Sequence, residues 1–170
     1  MRTYQTFHEQ LIPLLVEGIG AESYLEFGSN INQTISKVKC ARRYAVDTTI
    51  YELDGGNIHF FLMRTQDFIA DHAEKHAPFD FVFIDADHSA KAAREDFEGI
   101  WPYVADDGLV CLHDTNPETV ALTDPGLCGD SWKFARRLTK GGYEAVTLPY
   151  SPGLTIVRKR TLWGPLDETD

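Results

Sequence analysis

Residues 79–115 read FDFVFIDADHSAKAAREDFEGIWPYVADDGLVCLHDT, and their pattern settles the class of architecture. The segment 79–85 is nearly all apolar or aromatic until its end, where Asp85-Ala86-Asp87-His88 bring two acids and an imidazole together. A run this short and this apolar is the pattern of a strand buried on both faces. Ser89 then stands where a helix N-cap belongs. Ala93, Phe97, Ile100 and Trp101 recur at helical spacing, which predicts one apolar face on a helix over 90–103. A second apolar run over 108–113 ends in His113, followed by Asp114 and Thr115. A strand, a helix and a strand in that order imply two parallel strands joined by a crossover.

The same alternation extends in both directions. Upstream, strands are expected over 24–27, 44–47 and 58–62, the last apolar enough for burial on both faces. Helices are expected over 4–17, 32–38 and 65–76, and downstream over 131–140. Two final strands, 143–148 and 154–158, are joined only by Pro149-Tyr150-Ser151-Pro152-Gly153. That link is too short for a crossover and suits a hairpin. The expected fold is therefore α/β, a mostly parallel sheet with one antiparallel strand near its end.

Composition narrows the function classes. The 170 residues carry 16 Lys plus Arg against 26 Asp plus Glu, a formal charge of −10. The length suits a single domain over 1–160, with an acidic C-terminal tail over 161–170 that is expected to fray. Hydrophobic residues at 43% and charged residues at 25% are ordinary globular values, which argues against disorder. The acid excess argues against a nucleic-acid partner and against an anionic membrane surface. Cys40, Cys111 and Cys128 form neither a disulfide framework nor a close zinc-type pair, so a reduced, cytoplasmic setting is expected. The stretch MRTYQTFHEQ lacks the basic-then-apolar pattern of a signal peptide.

In an open parallel sheet, ligands bind beyond the carboxyl ends of the strands. After the first strand comes Glu26-Phe27-Gly28-Ser29-Asn30-Ile31-Asn32, where Gly28 permits a tight turn and close approach of a ligand. Asp47 ends the second strand, 19 residues after Gly28 (47 − 28 = 19), and suits the two hydroxyls of a ribose; capping the next turn is the alternative. Asp85, Asp87 and His88 follow the fourth strand, and His113 with Asp114 closes the fifth. Such a cluster can hold a hard divalent cation or set a general base beside a hydroxyl. The alternative is a solvated rim that caps the following segments.

These motifs resemble those of class I S-adenosylmethionine-dependent methyltransferases. The likeness is greatest to a small group (methyltransferase domain 24-like) whose fourth strand ends in IDxDH and whose fifth ends in HD. LEFGSN, residues 25–30, resembles that fold's first motif, and YAVDTT, residues 44–49, its ribose-binding segment. DSWKFARRLTKGGYEAVTLPYSPGLTIVRK resembles its last helix and terminal hairpin. The likeness spans roughly residues 22–160. It implies a Rossmann-like three-layer sandwich with a seven-stranded sheet, and S-adenosylmethionine lying across strands one, two and four. Glu26, Gly28, Ser29 and Asn32 would hold the methionine end, Asp47 the ribose, and Asp85 and Asp87 the region of the adenine or sulfonium. The group is related to metal-dependent O-methyltransferases such as the catechol and caffeoyl-CoA enzymes. Their magnesium ligands match Asp85, His113 and Asp114 by position. Their lysine base matches His88, an imidazole suited to proton transfer near neutral pH. The sequence departs from the pattern at Asn32, where a second glycine is usual, at Met63-Arg64-Thr65, where an acid for the adenine is usual, and at His113, a softer ligand than the usual acid.

The implied reaction is methyl transfer to a hydroxyl of a small-molecule acceptor, with Asp85, His88 and Asp114 as catalytic groups and Mg2+ or another divalent cation assisting. Related enzymes are often homodimers. Two rivals remain: a degenerate binding protein on the same fold, and a metal-assisted hydrolase or lyase using Asp85, His88, His113 and Asp114. The loop 116–129 has the composition of a lid. Tyr150 is a candidate pocket residue, whereas Trp132 is expected in the core. His8, His72 and His76 are expected to be solvated and His59 to be structural. Cys111 is read as a small buried residue. Lys133, Arg136, Arg137 and Lys140 are read as the wet side of a helix.

Overall fold

The structure, a computed structural model, describes residues 7–49 and 57–160. The apolar run at its centre forms β4 (Phe79–Ile84). Parallel to it on one side lies β1 (Ser23–Phe27), every residue of which is buried, and on the other β5 (Val104–His113). Beyond β1 come β2 (Arg42–Asp47) and β3 (Ile58–Leu62), both parallel. Beyond β5 come β7 (Leu154–Arg158) and β6 (Glu144–Leu148), with β7 antiparallel to both neighbours. The sheet order is thus β3-β2-β1-β4-β5-β7-β6, seven strands with the antiparallel hairpin expected from the short 149–153 link. The order reverses between β1 and β4, which is the place where such sheets bind ligands.

Alternation along each strand divides the core into two layers. Leu25, Phe27, Val82, Ile84, Val110 and Leu112 face one side. There they meet Phe68 of α2 (Thr65–Asp71), Phe97 and Ile100 of α4 (Ala90–Ile100), and Phe134 and Leu138 of α5 (Trp132–Lys140). Tyr24, Phe81, Phe83 and Cys111 face the other side, against Ile12 and Val16 of α1 (Phe7–Gly18). Each fully buried aromatic or aliphatic side chain contributes roughly 1.5–3 kcal/mol. The helix after β4 starts as expected: the Ser89 Oγ accepts the Ala92 N–H at 3.2 Å. It ends at Ile100 in a 3-10 turn, Trp101–Tyr103.

Several expectations need correction. Within the expected helix 32–38 the chain forms successive turns over 32–37 and no helix. Asn30 and Asn32 take positive φ values of 44° and 60°, which breaks a right-handed helical run. The helix expected over 65–76 divides at His72, whose φ of −126° separates α2 from α3 (Ala73–His76). β3 is an edge strand with Leu62 64% exposed, so it is not buried on both faces. β5 begins earlier than expected, at Val104, which pairs with Phe79 of β4 before a register shift resumes the ladder at Phe81 and Leu109. Cys40, Cys111 and Cys128 are free thiols, and Cys111 is buried. Among the described residues no helix is long and apolar enough to cross a membrane. The tail 161–170 lies outside the described residues.

Candidate active site

Strand register assembles the site. Phe27 pairs with Ile84 and Ile84 with Leu112, so the residues that follow, Gly28, Asp85 and His113, emerge side by side. The Asp85 N–H donates to the Phe27 carbonyl and the Gly28 N–H to that of Val46, both at 2.9 Å. Gly28, at φ +83°, lies so close to β4 that a Cβ would sit 2.2 Å from the Asp85 carbonyl oxygen. Only glycine fits both the dihedral and the contact.

Beyond these strand ends the His113 Nδ1 lies 3.0 Å from Asp85 Oδ1 and 3.4 Å from Asp114 Oδ1. One donor atom from each of the three lies within 4.8 Å of the others. Asp114 turns out of the strand with φ 57°, the kind of sparsely populated backbone found at functional sites. Burial raises the Asp114 carboxyl above its usual range. Burial alone would lower His113, but Asp85 and Asp114 outweigh it and raise the imidazole. His88 extends the cluster, with Nδ1 3.4 Å from Asp114 Oδ2 and Nε2 4.0 Å from Asp85 Oδ1. Its Nδ1 also contacts the Leu127 carbonyl. A carbonyl only accepts, so Nδ1 is a nitrogen that carries a proton.

On the other side of Gly28, Asp47 Oδ2 accepts the Asn30 N–H at 2.8 Å and Oδ1 the Thr49 N–H at 2.9 Å. The sheet edge, from Asp47 to Asp114, is therefore one line of acids and imidazoles at the switch point.

A family model described as a methyltransferase domain matches residues 25–115. The chain belongs to this methyltransferase family. No curated protein matches it in sequence. Solved structures share its fold at low identity. Cofactor-bound Rv0187 from MTB is 13% identical, with a TM-score of 0.72 over 95% of this chain and 84% of that one. A putative caffeoyl-CoA O-methyltransferase from Staphylococcus aureus is 18% identical, with a TM-score of 0.67 over 91% of this chain and 83% of its own. The MycE methyltransferase of the mycinamycin biosynthetic pathway, solved with Mg, SAH and mycinamycin VI, is 16% identical, with a TM-score of 0.68 over 92% of this chain. The present chain spans about half the length of MycE, 50%.

Three adjoining cavities follow the sheet edge of this methyltransferase domain. One of about 440 Å³ is bordered by Gly28, Asn30, Asp47, Asp85, His113 and Asp114. A second of about 470 Å³ shares Gly28 and Asp47 and reaches Met63, Arg64 and Asp87. The third and largest, about 780 Å³, runs from Asp87 and His88 to Thr123, Asp130, Trp132 and Lys133. Of the residues expected at the cofactor, Gly28, Asp47, Asp85 and Asp87 border cavities. Glu26, Ser29 and Asn32 are buried and are not among the residues bordering these three. Burial pushes the Glu26 carboxyl up to about 8, and the Tyr24 hydroxyl that donates to it pulls the other way. Asn32 adopts the left-handed backbone a glycine would take, a conformation asparagine tolerates. Asp87 Oδ1 accepts the Ser89 N–H at 2.8 Å, and hydrogen bonds from Ser89 hold its carboxyl below the usual range.

Some side chains are not where the sequence placed them. His8 is buried, not solvated: its ring meets that of His113 edge-on at 4.1 Å. Burial lowers the His8 imidazole to about 4. A signal was present, because His8, Ile12 and Val16 recur every four residues on one face of α1. His72 and His76 are half-buried against Phe61, at 5.0 and 5.5 Å, whereas His59 is exposed on the edge strand. Trp132 borders the large cavity and carries Arg136 over its ring at 4.8 Å, so it is not a core residue. Tyr150 is half-buried, and burial raises its hydroxyl to about 12. Asp130 was missed: it joins the 116–129 loop to the site, its Oδ1 accepting the Ala90 N–H at 2.6 Å.

Proposed function

We propose that this domain methylates a hydroxyl of a small-molecule acceptor using S-adenosylmethionine, with a divalent cation held by Asp85, His113 and Asp114. The carrying observation is the adjacency, at the switch point of a methyltransferase-family sheet, of Asp47, Gly28 and that two-carboxylate, one-imidazole set. The donors fit a cation, since two carboxylates balance its charge and their separations suit ligands of one ion. MycE, crystallised with Mg and SAH, lends support. When bound, S-adenosylmethionine would supply the methyl group, its carbon passing in line from sulfur to oxygen with the thioether as leaving group, and the cation would lower the pKa of the accepting hydroxyl.

The chain's own residues do the rest. Asp47 binds the two ribose hydroxyls. Gly28 lets the cofactor approach the backbone, with Glu26, Ser29 and Asn32 shaping the methionine end behind it. Asp87 stands where the adenosine and acceptor cavities meet. Asp85 and Asp114 orient the acceptor oxygen, and His88 takes its proton at Nε2. The 780 Å³ cavity beside Trp132 receives the acceptor. Three free thiols fit a reducing compartment such as the cytoplasm.

Calorimetry with S-adenosylmethionine tests the reading. Saturable binding is expected, weakened about tenfold or more by Asp47→Ala through loss of charge-assisted hydrogen bonds. No binding at millimolar cofactor, with or without magnesium, overturns it. Chelator should abolish methyl transfer and Asp114→Ala should mimic the chelator. Full activity in chelator would remove the cation from the mechanism.

A further inference from the structure

We infer that the cation site selects a first-row transition-metal dication of the iron(II), cobalt(II) or zinc class over magnesium, and that His113 sets the preference. The inference rests on the divalent-site reading above and concerns which ion is taken.

The nitrogen facing both carboxylates is His113 Nδ1, at 3.0 Å from Asp85 Oδ1 and 3.4 Å from Asp114 Oδ1. Ligands at right angles on one ion, with bonds of about 2.1 Å, stand about 3 Å apart. The His113–Asp85 separation is that of a hydrogen bond and equally that of neighbouring ligands on one ion, so Nδ1 stands where a bound cation would take a nitrogen ligand between two oxygens. Magnesium is a hard ion that prefers oxygen and water, whereas imidazole nitrogen favours the later divalent metals.

The ring has little freedom to turn away and leave the position to water. His113 ends β5 in register with Leu154 of β7, which fixes the direction of its Cβ. Its side chain is only 10% exposed. His8 packs edge-on against it at 4.1 Å, and Phe83 lies at 6.2 Å. His8 itself comes from α1, whose Ile12 and Val16 are buried in the core, so the packing partner is anchored as well. A second imidazole stands beside the set, with His88 Nδ1 3.4 Å from Asp114 Oδ2.

The test uses the full chain stripped of metal. Loaded with Mn2+, the wild-type protein should show nitrogen hyperfine coupling from a directly bound imidazole in pulsed EPR. Absence of that coupling in a Mn2+-bound protein overturns the inference. Calorimetric titration of Co2+ and of Mg2+ gives a selectivity ratio, which should fall about tenfold or more in His113→Asp as nitrogen is exchanged for oxygen. An unchanged ratio overturns the inference and leaves the divalent site standing. Failure of every ion to bind the wild type overturns both. Should His113→Asp not fold, the wild-type EPR signature decides by itself whether the imidazole is a ligand.

Discussion

Replacing Gly28 with alanine is expected to destabilise the protein in two separable ways. The first is dihedral: a non-glycine residue in the left-handed region costs roughly 1–2 kcal/mol, and Gly28 has φ +83°. The second is contact. The new methyl would lie 2.2 Å from the Asp85 carbonyl oxygen and 2.6 Å from Ala86 Cα, both backbone atoms that cannot swing aside. Forcing such an overlap typically costs about 1–3 kcal/mol through backbone displacement. Gly20 provides the control, since it has φ +66° and nothing within 4 Å of its added Cβ. Gly20→Ala should therefore cost only the dihedral part. At roughly 2–4 °C per kcal/mol for a domain of this size, Gly20→Ala should lower Tm by about 4 °C and Gly28→Ala by about 10 °C. The clash also pushes β1 away from β4 at the cofactor edge, so S-adenosylmethionine affinity should fall in Gly28→Ala and not in Gly20→Ala. Differential scanning calorimetry and cofactor titration on the three proteins read both effects. Equal Tm losses in the two variants would refute the close approach of Gly28 to Asp85.

Glu26 offers a pH test. Its folded pKa, about 8, is raised above the ordinary carboxyl value of 4.5. Its contribution to stability is thus complete below pH 4.5 and lost as pH rises through 8, by about 5 kcal/mol at most. The stability of Glu26→Gln relative to wild type should climb by about 1.4 kcal/mol per pH unit between pH 5.5 and 7.5 in urea denaturation; a flat difference would contradict the burial. His8 runs the opposite way. Its folded pKa of about 4 lies below the ordinary 6.5, so stability is complete above pH 6.5 and lost as pH falls toward 4, by roughly 3 kcal/mol. His8→Phe keeps a ring against His113 and should flatten that acid limb, and an unchanged acid limb would rule out the burial. Ser89→Ala removes the cap on the Ala92 N–H and should cost about 1 kcal/mol by thermal unfolding; no loss would show the cap to be idle.

The legibility of this chain varied with how local its determinants are. The unit from Phe79 to His113 was readable because a doubly buried strand, a serine cap and one apolar helix face all leave local marks. The terminal hairpin followed from the shortness of its linker alone. The meeting of Asp85, His113 and Asp114 was readable too, since parallel strands in register align their last residues without further information. Residues 29–38 were not, because two asparagines with positive φ end a helical pattern that apolar spacing alone would continue. The position of α1 over His113 depends on packing across the sheet, which no spacing within 7–18 reports, although the period shared by His8 with Ile12 and Val16 marked it as facing inward. Trp132 was misplaced for a related reason: an aromatic near a helix start packs into a core or walls a cavity with the same sequence signature.

The attachment of His88 has a kinetic consequence. Its backbone carbonyl accepts the N–H groups of Asp130 and Ser131 at 2.9 and 3.0 Å, and Gly129 lies so near that a Cβ would sit 2.3 Å from that oxygen. Residue 88 is thereby a passenger of the loop 116–131 as much as of β4. Under the mechanism proposed above, an acceptor too bulky for the loop to settle around would carry the imidazole away from the acceptor hydroxyl. Such a molecule would still bind, yet turn over slowly. Acceptor discrimination would then register in kcat more than in KM, with the loop acting as a gauge that arms the base only around a molecule of the right size.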